Sequence, residues 1–446
     1  MKRSTKKGFT IVELVIVIAI IAILAAVLIP TFASLIQKAN ESNDIQAAKN
    51  MNTFLAAANV TGDVKSILDV YDVFEDSGFA VENYTPLYKN RYYYYDKEYN
   101  QILYVDDKLN VIYPTEHKGE TSTGRTWMSL SMSTPKADTS VKFSDSAKTV
   151  TVETAAQFAG AVESFKAQTA GEYEIKVKGT IDMMGGNCVI DEVAGKTLKI
   201  TGEGTAPVIK NIANNKTLLR TISSGNKNEA NYNSSALIGS VAAGGHVEIN
   251  NITFENLNVK TLDGGNVGLL VGDIDYVSTA KVSITGVTIK DSSLIGHRNA
   301  GALIGQIAGQ GIAADVTISD ITLDNVSVKT VGGRSALVVG LIETGYGAAK
   351  GKTKIDNITV NDNCTFGVYN NAASKQEFGD VTNDSSSYTY INADKSIKSV
   401  KDFITNEVKT YCHKDGALFL IKTAEKEYTF YTDVESAQNA LTSTGN

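Results

Sequence analysis

An uninterrupted apolar run near the amino terminus constrains the fold of this chain more than any other feature. Leu14 to Ile29 is 16 residues long and contains no polar side chain. The stretch from Phe9 to Ile29 has 21 residues, which make about 31 Å of helix at about 1.5 Å per residue. That length crosses the hydrocarbon core of a bilayer. Four basic residues precede it and are expected to stay on the cytoplasmic side: Lys2, Arg3, Lys6 and Lys7.

A single acidic residue, Glu13, lies inside this apolar stretch. A carboxylate at such a position costs about a few kcal/mol unless a partner or protonation relieves it. We therefore expect Glu13 to have a specific role. The apolar run alone would also suit a cleaved secretory signal, a simple membrane anchor or a buried core helix, and Glu13 argues against all three.

The residues around Glu13 resemble the prepilin leader of type IV pilins and of type II secretion pseudopilins. They read Lys6-Lys7-Gly8-Phe9-Thr10-Ile11-Val12-Glu13-Leu14. The resemblance implies that a prepilin peptidase removes residues 1–8 by cleavage after Gly8, and that Phe9 is then N-methylated. It also implies filament assembly through Glu13, which would pair with the terminal amine of a neighbouring subunit. A buried carboxylate and a buried ammonium compensate each other only when both are in place, so this pair would set the axial register.

The charge balance argues against a nucleic acid partner. The chain has 42 Lys and Arg against 49 Asp and Glu, a formal charge of −7, and loss of the four basic leader residues lowers it to −11. Binding to a phosphate backbone requires a basic surface. We therefore predict no nucleic acid partner.

The helical pattern continues beyond the apolar run and through Pro30. A proline bends a helix without having to end it, so we predict one kinked transmembrane or filament-core helix over residues 9–59, about 75 Å long. The alternative is a helix that stops at Pro30 and a second helix after it. Residues 60–114 then predict a short helix and three strands: Asp63 to Phe74, Arg91 to Tyr95, Gln101 to Val105 and Leu109 to Tyr113. A long helix followed by a small antiparallel sheet is also what the pilin resemblance implies, so this α+β module is expected to be pilin-like.

The remainder of the chain is dominated by an internal repeat. After a Ser/Thr/Gly-rich segment at residues 115–148, interpreted as a linker, two aliphatic residues followed by glycine recur at steps of 33, 33 and 35 residues: Leu237-Ile238-Gly239, Leu270-Val271-Gly272, Leu303-Ile304-Gly305 and Val338-Val339-Gly340. A second series repeats in parallel: Ile252-Thr253-Phe254, Val287-Thr288-Ile289, Ile321-Thr322-Leu323 and Ile358-Thr359-Val360. Such fixed spacing predicts a repeat architecture.

We therefore predict an all-β domain at residues 149–375, a parallel β-helix or β-solenoid, with a β-sandwich as the alternative. A helix near Ala155 to Phe165 is expected to cap its first edge. The glycine repeats look like those of bacterial surface adhesins, and the opening of the domain resembles parallel β-helix proteins of the pectate-lyase type. Residues 376–446 are interpreted as a capping subdomain. It is predicted to contain a helix near Ile397 to Lys409, a hairpin and a final helix near Asp433 to Leu441.

No catalytic motif is recognisable in the sequence. The chain contains no HExxH, GxSxG or phosphate-binding loop. Its histidines lack metal-like spacing: His117, His246, His297 and His413. Three scattered cysteines allow at most one disulfide within the chain: Cys188, Cys364 and Cys412. We therefore predict no catalytic residues, no metal, no cofactor and no enzymatic activity. A lyase would need clustered charged residues. The candidates in the repeats are Asp273, Asp275, Arg298 and Arg334. These four are more simply interpreted as turn residues.

These observations predict a type IV pilin-like minor subunit with a single membrane-spanning helix. It would be held in the cytoplasmic membrane before assembly and then enter an extracellular filament, with prepilin peptidase and other pilin subunits as partners. The β-solenoid would be displayed for adhesion, with a host or glycan ligand as the expected kind of target. Two alternatives stay open: a membrane-tethered carbohydrate-active β-helix protein, and a pseudopilin of a secretion or DNA-uptake system.

Overall fold

The computed structural model describes most of the chain in fourteen segments. These are residues 10–59, 64–79, 84–215, 233–261, 265–275, 279–296, 299–308, 314–330, 335–343, 352–368, 389–391, 397–399, 416–424 and 427–443. The predicted leader, residues 1–8, lies outside these segments. The architecture is a long amino-terminal helix, a small antiparallel sheet and a large β region.

The amino-terminal helix α1 extends from Ile11 to Asn59 without a break. Its 49 residues correspond to about 74 Å at about 1.5 Å per residue. The helix continues through Pro30, so the alternative of two separate helices is wrong; a bend at Pro30 stays a prediction. Residues that α1 buries lie in its second half, where the helix packs on the head: Asp44, Ala48, Met51 and Leu55.

The head consists of a short helix and four antiparallel strands. Helix α2 (Ile67–Asp76) begins at a capping box, in which Ser66 and Asp69 each accept a hydrogen bond from the backbone of the other. The strands are β1 (Tyr92–Asp96), β2 (Gln101–Val105), β3 (Val111–Tyr113) and β4 (Trp127–Ser129), in the order β3-β2-β1-β4. Aromatic residues from α2 and β1 fill the core between the sheet and α1.

Strand β4 lies inside the segment interpreted as a linker, residues 115–148. Trp127 is buried, and its Nε1 donates a hydrogen bond of 2.8 Å to the Asp96 carboxylate on the neighbouring strand β1. The folded head thus extends into this segment. A strand of three residues is too short to show a period, and here a tertiary contact with Asp96 holds it in the sheet.

The β region begins with a strand and a capping helix. Thr154 caps helix α3 (Ala155–Lys166) by accepting a hydrogen bond from the Gln157 backbone, and α3 packs Phe158, Val162 and Phe165 into the core. The strands that precede and follow it are β5 (Thr149–Val152), β6 (Gly171–Asp182), β7 (Ile190–Val193), β8 (Lys196–Asn215), β9 (Ile238–Val241), β10 (His246–Asn250), β11 (Thr253–Thr261), β12 (Val267–Gly268), β13 (Val271–Ile274) and β14 (Lys281–Lys290).

The remaining strands continue the same pattern towards the carboxyl terminus. They are β15 (Ser293–Gly296), β16 (Ala300–Gly301), β17 (Ile304–Ile307), β18 (Asp315–Asp324), β19 (Ser327–Thr330), β20 (Val339–Glu343), β21 (Lys352–Val360), β22 (Thr365–Val368), β23 (Thr389–Ile391), β24 (Ile397–Ser399), β25 (Phe419–Ala424) and β26 (Glu427–Tyr431). A last helix, α4 (Val434–Ser443), closes the chain.

Parallel pairing aligns the sequence repeats in register. Strands β8, β10, β14, β18 and β21 are neighbours, and their isoleucines face one another in a single buried row: Ile200, Ile249, Ile284, Ile318 and Ile355. The second series is aligned too, since Thr253 pairs with Thr288, Thr288 with Thr322, and Thr322 with Thr359. Each sequence repeat therefore contacts the next one through equivalent residues.

The repeated glycines allow an unusually close approach of backbones. A Cβ atom on Gly272 would lie 2.5 Å from the Gly239 carbonyl oxygen, and one on Gly305 would lie 2.5 Å from that of Gly272. Gly340 repeats this contact with the Gly305 carbonyl oxygen, again at 2.5 Å. Because real Cβ atoms do not approach backbone so closely, any side chain at these positions would push the strands apart. This explains why glycine follows each aliphatic pair.

Left-handed residues bend the strands at equivalent corners. One row of corners contains Asn251, Gly286, Asp320 and Asn357, with φ values of 54, 66, 55 and 47°. Asn, Asp and Gly adopt this conformation at least cost. The side chains also bond along the row, since Asn357 Nδ2 donates to Asp320 Oδ1.

The carboxyl-terminal segment packs against strands β20 and β21. Strand β25 pairs in parallel with β20 and antiparallel with β26, and Gln438 of α4 accepts a hydrogen bond of 2.6 Å from the Ile355 backbone in β21. The predicted helix near Ile397 to Lys409 is wrong at residues 397–399, which form β24; the rest lies outside the described residues. In so short a segment, the spacing of apolar residues fits the period of a helix as well as that of a strand.

The head and the β region are in direct contact. Lys260 of β11 forms an ion pair with Asp72 of α2, and the Lys260 side chain is only 3% exposed. The backbone of Ser129 in β4 donates to the Met184 carbonyl at 2.9 Å. Ala213 and Ile295 of the β region lie in the aromatic core of the head. The two parts therefore share a core.

Candidate functional site

The candidate site is the first turn of α1, where Thr10 and Glu13 form a reciprocal cap. Glu13 Oε2 accepts hydrogen bonds from the backbone N–H and from the hydroxyl of Thr10, both at 2.8 Å. In return, Thr10 Oγ1 accepts one from the Glu13 backbone at 3.3 Å. This capping box arises because an unpaired N–H at a helix start seeks an acceptor. Gly8 and Phe9, the predicted processing residues, lie outside the described residues.

The cap gives the Glu13 carboxylate hydrogen-bond donors from its own subunit. A carboxylate surrounded by apolar side chains is costly unless it is hydrogen-bonded or paired. Thr10 supplies two donors to one of its oxygens. In the sequence, Glu13 stands out as a charge in an apolar run. The contribution of Thr10 becomes visible only in the structure, although the spacing Thr-x-x-Glu is a recognisable capping signal.

Beyond this cap, α1 presents apolar side chains to its surroundings. They include Ile11, Phe32, Leu35 and Ile36, which are 81, 59, 55 and 59% exposed. One apolar stretch of α1 has a mean hydropathy of 3.3 and no buried residue. By length and composition, the helix can cross a membrane. An exposed apolar surface of this size requires a lipid or protein partner.

The second half of α1 is fixed to the head by Asp44. Its carboxylate accepts hydrogen bonds of 2.8 Å from the backbone N–H groups of Leu87 and Tyr88 and one of 3.3 Å from the Tyr104 hydroxyl. The Tyr93 hydroxyl donates to the Asp44 carbonyl oxygen at 2.9 Å. Burial, followed by the Asp44 charge, raises the pKa of both tyrosines. The role of Asp44 cannot be recognised in the sequence, because its hydrogen-bond partners come together only in the folded head.

Asn52 forms the second attachment of the helix. Its Nδ2 donates to the Ile102 carbonyl at 3.0 Å, and its Oδ1 accepts from the Ile102 N–H at 2.6 Å. The side chain thus bonds strand β2 as another strand would. Through Asp44 and Asn52, the position of α1 determines the position of the sheet.

The other candidate residues do not come together in the described structure. His117 stacks on Tyr99 at 4.0 Å and contacts Glu120, while His246 lies in β10. Asp273 accepts a hydrogen bond from Asn266, within the same repeat. Four of the candidates lie outside the described residues: His297, Arg298, Arg334 and His413. Among the residues described, no group of three or more His, Cys, Asp or Glu could hold a metal ion.

The cysteines that can be placed are both free thiols. Cys188 is buried and Cys364 is half-buried; Cys412 lies outside the described residues. Burial raises the pKa of the Cys188 thiol to about 12, so this side chain is a neutral apolar group at physiological pH.

A known family motif covers this first turn. Residues 3–29 match the family model of the prokaryotic N-terminal methylation motif. The match includes both capping residues, Thr10 and Glu13. No solved structure matches the chain. The methylation motif and the long apolar helix together support a type IV pilin-like family for this chain.

Proposed function

We propose that the chain is a minor pilin subunit that enters a surface filament and displays its β region outward. The observation that carries this proposal is the methylation motif at residues 3–29, followed by a helix whose apolar first half is exposed. Prepilin peptidase cleaves after Gly8, the new terminus Phe9 is N-methylated, and α1 holds the subunit in the cytoplasmic membrane until assembly.

During assembly, the α1 helices of neighbouring subunits bury the apolar side chains that each subunit exposes. Glu13 then exchanges its Thr10 donors for the terminal amine of a neighbour. The exchange is favourable only when both charges are desolvated together, so subunits out of register are disfavoured. This step supplies the role that the sequence analysis assigned to Glu13.

The β region is proposed to be a parallel β-solenoid that acts as a display surface and not as a catalyst. In-register parallel pairing of equivalent residues, such as Thr253, Thr288, Thr322 and Thr359, supports this architecture. A stack of coils provides a rigid projecting body without catalytic groups. Adhesion to a host or glycan ligand is the proposed use of that surface.

Mass spectrometry of the native protein tests the processing step most directly. We expect a mature chain that begins with N-methylated Phe9 and lacks residues 1–8. The variant Gly8→Leu should keep its full length, because a bulky residue at the cleavage position blocks the peptidase. Native material with an intact leader, or with any other first residue, would overturn the proposed function.

A pseudopilin role shares the same motif and is separated from the proposed role by phenotype. A deletion strain should lose surface attachment while secretion and DNA uptake continue. Loss of secretion or of DNA uptake with normal attachment would assign the protein to such a machine instead. Release of unsaturated products from anionic polysaccharides by the purified protein would contradict the non-catalytic role.

A further inference from the structure

Two of the three large apolar side chains that the described residues expose outside α1 lie at the same end of the head. Among the residues that the structure describes, the large apolar side chains exposed outside that helix are Leu87, Tyr92 and Tyr99. Leu87 is 64% exposed and Tyr92 is 39% exposed. Both belong to residues 85–92, which we call the basal loop. Such side chains on the surface of an acidic, charged chain suggest a contact.

The basal loop is held in place. Asp44 accepts the backbone N–H groups of Leu87 and Tyr88 at 2.8 Å. Tyr84, just before the loop, is buried among Tyr71, Phe74 and Phe79. A loop fixed at its centre and at its start presents Leu87 in one position relative to α1. Its exposure is therefore built into the fold.

The loop lies at the end of the head that is nearest to the apolar half of α1. Strand β2 runs along the helix in the opposite direction: Asn100 contacts Asn59, Ile102 contacts Asn52 and Tyr104 contacts Asp44. Tyr92 pairs with Val105, one residue beyond Tyr104. Residues 85–92 thus form the base of the head, on the side of the membrane segment.

Helix geometry brings this base close to the bilayer surface. About 20 residues cross the hydrocarbon core. In the unassembled subunit the Glu13 carboxylate is less costly among the cytoplasmic head groups than in hydrocarbon, so the span begins at Leu14 and ends near Ala33. Lys38 then lies about 7 Å further along the helix, at the depth of the lipid head groups. Asp44 lies about 9 Å beyond Lys38. Long side chains of the basal loop bridge most of that remaining gap.

The chemistry of the loop is that of the membrane interface. Tyrosine is enriched at both membrane interfaces, and long Lys and Arg side chains reach towards lipid head groups with their charged ends. The loop contains Tyr88, Lys89, Arg91 and Tyr92. The Arg91 guanidinium lies 4.8 Å from the centre of the Tyr88 ring. The Asp106 carboxylate accepts hydrogen bonds from the backbones of Lys108 and Asn110, and it also interacts electrostatically with Arg91.

We propose that the basal loop rests on the anionic outer surface of the membrane in the unassembled subunit. Leu87 and Tyr92 enter the head-group region, while Lys89 and Arg91 meet lipid phosphates. The contact holds the head upright beside its membrane helix, so that α1 leaves the bilayer in a fixed orientation. This inference depends on the proposed function only in requiring that α1 spans the membrane.

Spin-label depth measurements on the full chain test this contact. The processed protein is reconstituted at low density into vesicles of phosphatidylethanolamine and phosphatidylglycerol, with Cys364 and Cys412 replaced by serine. A nitroxide is attached at Leu87→Cys, at Ile20→Cys in α1, or at Tyr99→Cys. Tyr99 is the matched control, because it is 43% exposed and lies near Asn100, at the opposite end of the head.

We expect the label at position 87 to be several-fold less accessible to a water-soluble relaxation agent than the label at position 99. Equal accessibility at 87 and 99, with position 20 buried in lipid, would overturn the inference and leave the proposed function intact. A water-exposed label at position 20 would contradict the membrane helix itself. Protection of position 87 that appears only at high protein density would assign the loop to a neighbouring subunit and also overturn the inference.

Discussion

At the residue scale, polar side chains at three levels of α1 connect it to different surroundings. Glu13 is bonded to Thr10 within the first turn, Asp44 holds the base of the head and Asn52 bonds strand β2. Each of these side chains forms its hydrogen bonds at a different level of the helix. Their contributions are therefore separable by substitution.

The substitution Glu13→Ala is expected to leave cleavage and methylation intact and to reduce incorporation into filaments. Under the proposed function, the peptidase acts on the leader, whereas the carboxylate is needed when subunits come together. Immunoblots of sheared filaments and of membranes would measure the distribution. Glu41→Ala, which removes a carboxylate from the same helix outside the apolar segment, is the matched control. Normal incorporation of the Glu13 variant would contradict the pairing role.

Alkaline pH is expected to loosen the attachment between α1 and the head. Burial raises the pKa of Tyr93 and Tyr104 above the ordinary value of 10.0, so the folded state favours their neutral forms. The stability that they provide is complete below pH 10 and is lost as the pH rises towards their folded values. Hydrogen exchange of the β2 amides would follow this loss. Tyr104→Phe should show a shallower pH dependence, and an unchanged one would contradict the assignment.

At the element scale, periodic segments could be predicted from the sequence and short contact-dependent ones could not. The bounds of α1, β2 and α3 follow from apolar periodicity and caps such as Thr154. Strand β4 was missed because its three residues show no period, and Trp127 is held there by Asp96 across the sheet. In the candidate site, Glu13 could be predicted because it is a charge in an apolar run. Asp44 could not, because its hydrogen bond with the Leu87 backbone forms only in the folded head.

The repeated glycines provide a test at the same scale. Gly305→Ala should lower the free energy of unfolding by about 1–3 kcal/mol, because its Cβ would meet backbone atoms and overpack the strands. Gly367→Ala is the matched control, since no atom lies within 4 Å of a Cβ at that position; its effect should stay within about 0.5 kcal/mol. Denaturant titration of the full chain would measure both. Equal effects would argue against the close approach.

At the scale of the whole molecule, the head and the β region behave as one body because they share buried contacts. Lys260 and Asp72 are 188 residues apart in sequence and lie on different secondary structures. Nothing in the local sequence of either residue indicates the other. The packing between parts is the feature that sequence analysis could least anticipate, since no periodic signal records it.

Replacing Lys260 by methionine is expected to loosen the head from the β region. The change keeps side-chain volume but leaves Asp72 without its cation, and breaking a buried pair costs about 3–5 kcal/mol; partial exposure of Asp72 favours the lower end. Small-angle scattering and unfolding of the full chain would detect the change. Lys329→Met is the control, because Lys329 occupies the equivalent position in the sheet: Lys260 of β11 pairs with Ile295 of β15, which in turn pairs with Lys329 of β19. Equal free energies of unfolding for the two variants would show that the Lys260–Asp72 ion pair does not hold the head to the β region.

The in-register repetition of the β region has an evolutionary consequence. Helix α3 packs on β5 and β6, and α4 packs on β21, while the strands between them repeat equivalent glycines and isoleucines. Duplication or deletion of a gene segment encoding one sequence repeat would therefore add or remove strands at a spacing of about 4.8 Å and leave both helices unaltered. The length of the β region can in this way change by whole repeats without a new edge having to evolve.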